Sequence, residues 1–77
     1  MAMFEITIYN KEVREKVEAG EHHSRFPDKW ADFQYIEIYA PNEELARAQV
    51  EVMHPGVQGF VIDDIRKIGG FFLSKSR

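Results

Sequence analysis

The sequence predicts a small α+β domain in which an antiparallel sheet carries two helices on one face. Two stretches make that prediction. Residues 33–62 read as strand, helix, strand: FQYIEIYA alternates with period two, PNEELARAQVEVMHPG spaces its apolar residues as a helix does, and VQGFVI is a further apolar run. Residues 3–9 repeat the alternation, setting Phe4, Ile6 and Ile8 against Glu5, Thr7 and Tyr9.

Taken in order, residues 3–9 form the first strand, and Asn10 is a residue type able to cap a helix starting at Lys11. In KEVREKVEAG, Val13 and Val17 lie four apart, as do Glu12 and Lys16, and Gly20 suits the position just past a helix end. These features predict a helix over 11–19, although its apolar stripe is thin enough for a hairpin strand to compete. EHHSRFPDKWAD reads as a short edge strand, EHHSRF, followed by a Pro-Asp turn into strand 33–40. The competing reading, a loop of about a dozen residues, is uncommon in a compact domain.

Pro41 cannot continue the second alternating strand; Asn42 caps a helix whose first turn carries Glu43 and Glu44, where the helix dipole favours negative charge. Leu45, Ala48 and Val52 make one stripe and Ala46, Val50 and Met53 its neighbour, which together predict a broad buried face. Pro55 and Gly56 stop the helix near Met53. Phe60 and Ile62 line one face of a further strand, whose alternation falters at Asp63-Asp64 as a bulge or bend does. Gly69-Gly70 then either turns the chain into a last strand at FFL or begins a tail. The order β-α-β-β-α-β, joined by right-handed crossovers, is the split βαβ sandwich of ferredoxin-like domains.

Composition narrows the chemistry. Seventy-seven residues make a single domain, 1–77, with a basic C-terminal tail over 69–77. A core this small leaves stability marginal, which favours association with a partner or a second copy. Cysteine is absent, excluding a disulfide framework, a thiol nucleophile and a cysteine metal site, and suiting a cytoplasmic protein. No apolar run approaches the roughly 20 residues that span a bilayer, and MAMFEITIY lacks the basic start of a signal peptide. The net charge of −3 conceals Arg66, Lys67, Lys75 and Arg77 in a terminal stretch without acids, on an otherwise acidic body.

The residues offer little for catalysis. His22 and His23 point to opposite faces of a strand, and neither joins His54 in a chelating pattern such as H-E-x-x-H. Ser24, Ser74 and Ser76 sit in no nucleophile elbow, and the glycines fit no phosphate-cradling loop. Asp28 with Asp32, and Asp63 with Asp64, have too small a chain around them for a pocket that shifts a carboxyl pKa. The sequence therefore predicts no enzyme, no cofactor and no metal.

Two surfaces remain. With Phe4, Ile6, Ile8, Ile36 and Ile38 toward the helices, Thr7, Tyr9, Phe33, Tyr35, Glu37 and Tyr39 face away, an aromatic patch of the kind that marks binding surfaces. HHSRFPDKW interleaves aromatic and cationic residues, among them Arg25 and Trp30, although Phe26 and Trp30 equally suit the end of a core. The expected function is a non-catalytic binding or accessory module, a regulatory subunit acting through protein contact at Tyr9, Phe33, Tyr35, Tyr39, Arg25 and Trp30, and a homo-oligomer. The alternative is a single-stranded nucleic-acid binder using the aromatic face with Arg66 and Lys67. Glu5 and Glu37 on that face disfavour it.

Overall fold

The computed structural model describes residues 1–70. Strand β1 (Ala2–Asn10) leads into helix α1 (Lys11–Glu18), followed by β2 (Gln34–Ala40), α2 (Glu43–Met53) and β3 (Phe60–Gly70). Short 3-10 turns occupy Asp28–Ala31 and Gly56–Gln58. The sheet order is β2-β1-β3, with β1 antiparallel to both neighbours. The chain is thus α+β, and its first strand lies between the last two as the ferredoxin-like arrangement requires.

The expected second strand is absent among the described residues. Residues 21–27 make no ladder, and β2 pairs with β1 alone among the described residues. The reason lies in His23, whose Nδ1 accepts from the backbone N–H of Arg25 at 3.0 Å and of Phe26 at 3.3 Å. Those donors would otherwise serve a ladder. Phe26 and Trp30 meanwhile turn inward against the core, which anchors the segment without strand pairing.

The alternation of β1 is unbroken: Ala2, Phe4, Ile6, Ile8 and Asn10 are buried, and the residues between them are half-buried. Ile38 and Ala40 of β2, Ala46 and Val50 of α2 and Phe60 of β3 complete the core. Both helices start on asparagine caps, Asn10 accepting from the Val13 N–H at 3.0 Å and Asn42 from the Leu45 N–H at 2.8 Å. The buried face of α2 is narrower than its sequence suggests. Leu45, Val52 and Met53 stand 47%, 81% and 52% exposed, because a three-stranded sheet gives the helix a narrower floor than a four-stranded one.

Strand β3 is longer than its alternation implied. Phe60, Ile62 and Ile65 oppose Asn10, Ile8 and Ile6, while Asp63 falls without a partner between Ile62 and Asp64. This is the bulge that the adjacent aspartates foreshadowed. A second irregularity passes over Ile68, after which Gly69 pairs with Met3 and Gly70 with Ala2. Gly69 and Gly70 therefore lie in the ladder and form no hairpin turn. The FFL segment and the remaining basic residues lie outside the described residues.

Candidate functional site

Strand register builds the outer face of the sheet row by row. Met3 lies between Tyr39 and Gly69, Glu5 between Glu37 and Arg66, and Thr7 between Tyr35 and Asp64. At the far end Tyr9 pairs with Val61 and meets the Phe33 ring edge-on, centroids 5.7 Å apart. Side chains opposite one another in a ladder share a face, so these rows form one continuous surface. Tyr35 is 65% exposed, Tyr39 49% and Phe33 43%.

Tyr9 contributes less to that surface than its sequence position implies. The Arg14 guanidinium lies over its ring at 3.8 Å and reaches the Phe33 ring at 5.2 Å, while Arg14 Nε donates to the Ala31 carbonyl at 2.8 Å. Helix α1 thereby lends a cation to one end of the outer face, where an aromatic ring holds it by its negative π surface. In the central row Arg66 Nη2 donates to Glu5 Oε1 at 3.0 Å. Glu37, directly across from Glu5 on the other side, has no such partner among the described residues. The row therefore runs acid, acid, base from the β2 edge to the β3 edge.

Arg66 and Lys67 separate. Arg66 shares the outer face with Glu5, whereas Lys67 opposes Phe4, whose side chain points into the core. They do not make one cationic patch.

Arg25 and Trp30 belong elsewhere. Trp30 meets Phe60 edge-on at 5.1 Å and His54 at 5.1 Å, and Phe26 meets Phe60 at 5.0 Å. This aromatic cluster closes the end of the core, the second of the two roles that the composition of HHSRFPDKW suits. Arg25 is exposed, its guanidinium 5.6 Å from the Phe26 ring. His23 accepts at Nδ1 from two backbone amides, so its proton sits on Nε2 and donates to Glu12 Oε1 at 3.1 Å. Its side chain is only 9% exposed, and it serves as a strut between α1 and the segment before the 3-10 turn. Burial lowers the pKa of His54. His22, fully exposed, has a raised pKa because Asp28 accepts from it at 2.9 Å and adds its charge.

Concavities lie among the described residues. A groove of about 230 Å³ runs between Arg47, Glu51, His54 and Phe60, smaller than the roughly 300 Å³ at which ligand pockets begin. A second, of about 390 Å³, is walled by Glu12, Glu15, Lys16, Ala19, Glu21 and His23. Among the described residues, no three His, Asp or Glu side chains converge as metal ligands would. No helix among them is long and apolar enough to cross a membrane.

Sequence reasoning set Arg66 beside the aromatic face but placed neither Asp64 nor Arg14 there. Asp64 carries a readable signal: once Asp63 is taken as the bulge, Asp64 and Arg66 fall two apart on one face. Comparison with known protein families, with characterised proteins and with solved structures gave no match.

Proposed function

We propose that the protein is a cytoplasmic accessory or regulatory module that acts by protein contact through the outer face of its sheet, self-associating there, without catalysis of its own. One observation carries the reading. Phe33, Tyr35 and Tyr39 stand 43%, 65% and 49% exposed in a row along β2, beside a charged strip, on the side of the sheet that α2 leaves open. Covering such rings removes apolar area from water at roughly 25 cal/mol per Å². Tyrosine is a frequent hot-spot residue at interfaces, since one end of its ring is apolar and the other donates. Nucleic acid is the weaker occupant. Its phosphates would meet Glu5 and Glu37, while Arg66 is already engaged with Glu5 and Arg14 with the Tyr9 ring and the Ala31 carbonyl.

Light scattering after size exclusion, over a dilution series from tens of micromolar downward, tests this reading. The expected result is a mass above the 9.0 kDa chain that falls on dilution, and an earlier fall in Tyr35→Ala. A monomer at every concentration, or micromolar binding of a single-stranded oligonucleotide lost on Tyr35→Ala, would sink it.

A further inference from the structure

We infer that the outer face takes a second copy of this chain across a two-fold axis that lies in the face and crosses the strands between the Glu5 and Thr7 rows. The inference rests on the reading of the outer face as the self-associating surface, and adds the axis and register in which the two copies meet.

Two sheets that pack face to face keep their strand directions within about 30° of one another. A closed pair of identical sheets then has two choices of axis in the interface: along the central strand, or across it. Charge decides between them. An axis along β1 sets each β1 residue against its own copy. Glu37 would gain Arg66 of the other copy, but Glu5 would meet Glu5, and Arg14, which lies 3.8 Å over the β1 residue Tyr9, would meet Arg14. Like charges opposed in an interface cost affinity.

The axis across the strands exchanges neighbouring rows instead. The Glu37–Glu5–Arg66 row comes to lie over the Tyr35–Thr7–Asp64 row of the second copy. Arg66 then faces Asp64 of the other copy, and by symmetry the pair forms twice. Glu37, which lacks a cation within its own chain among the described residues, meets the Tyr35 hydroxyl, and Glu5 meets the Thr7 hydroxyl. One step outward, Tyr39 comes over Phe33. Every acid in the contact then faces a donor, and no charge faces its like.

Size sets the strength. The span from Met3 to Tyr9 is roughly 20 Å at about 3.4 Å per residue, across three strands about 4.8 Å apart. Two such faces, each roughly 300 Å² in plan, bury on the order of 600 Å², below the standard size of a specific contact, so the dimer is a weak one that dissociates on dilution.

Charge reversal with rescue in trans tests the register, using the full chain and size exclusion with light scattering at tens of micromolar. The parent is expected at twice the 9.0 kDa chain mass. Asp64→Arg alone and Arg66→Asp alone should both run as monomers, since one opposes two arginines and the other two aspartates. Mixed in equal amounts they should return to the dimer mass, because each copy then supplies what the other lacks. Asp64→Arg, at an exposed position that holds no ion pair among the described residues, guards against a result due only to loss of the Arg66–Glu5 bond. Rescue of Arg66→Asp by Glu37→Arg, with Asp64→Arg still dimeric, would put the axis along β1 and overturn the inference while leaving the outer face in use. Dimers indifferent to all three reversals and to Tyr35→Ala would overturn the face as well, and a monomeric parent would overturn both.

Discussion

Replacing Asn10 with alanine should cost this domain much of its stability, because two separate structures depend on that one side chain. Asn10 is fully buried. Its Oδ1 accepts from the Val13 N–H at 3.0 Å and so caps α1, an eight-residue helix too short to persist alone. Its Nδ2 donates to the Gln58 carbonyl at 3.0 Å, tying the end of β1 to the turn before β3 across 48 residues of chain. Loss of the cap costs about 1 kcal/mol. A partly buried carbonyl left without its donor costs about 1–3 kcal/mol more. The expected loss is therefore about 2–4 kcal/mol, a large share of the several kcal/mol a domain of this size has. Urea unfolding followed by far-ultraviolet circular dichroism reads it directly. With a slope of about 1 kcal/mol per M for so small a chain, the midpoint should fall by about 2–4 M. Asn10→Ser keeps a cap acceptor but cannot reach Gln58, so it should recover only the cap's share. An alanine variant within about 1 kcal/mol of the parent, or a serine variant equal to it, would refute this account of the joint.

Two further predictions rest on the same geometry and on the histidines. Gly59 has φ +99°, and a Cβ there would sit 2.7 Å from Asn10 Oδ1 and 2.8 Å from Glu12 Cγ, whereas Gly20, at φ +77°, has nothing within 4 Å. Both alanine variants bear the left-handed penalty of roughly 1 kcal/mol, so in urea unfolding Gly59→Ala should lose at least twice what Gly20→Ala loses; equal losses would mean the crowding at Asn10 is not real. For the histidines, NMR titration of the ring protons should give a midpoint below the ordinary 6.5 for His54 and above it for His22, with Asp28→Asn bringing His22 back down. The signs carry to stability: below about pH 6.5 the unfolded chain binds a proton that folded His54 resists, so its contribution falls in acid, while that of His22 is complete below 6.5 and fades as pH rises through its raised pKa. A His54 midpoint at or above 6.5 would show that the aromatic cluster does not shield it.

Local decisions are legible in the sequence alone. Period-two alternation placed Phe4, Ile6 and Ile8 on the inner face and Tyr35, Glu37 and Tyr39 on the outer one, and the structure sets them so. Asn10 and Asn42 announced their helices because capping is a contact over three residues, visible without knowledge of the fold. The faltering alternation at Asp63-Asp64 announced a bulge for the same reason. Tertiary structure decided whatever depends on residues distant in the chain. EHHSRF has a strand's composition, but His23 takes up its amides and Phe26 joins Phe60, a contact between segments some thirty residues apart. The apolar stripe of Leu45, Val52 and Met53 matches a buried helix face, yet burial needs a surface opposite, and three strands do not provide it. Gly69-Gly70 looks like a turn until Ala2 and Met3 offer it a ladder. The charge order across the outer face arises only when β1 brings β2 and β3 to its two sides, since Glu37, Glu5 and Arg66 have no relation in sequence. Local rules see a few residues at a time, and the pairing of distant strands is settled by the free energy of the whole fold.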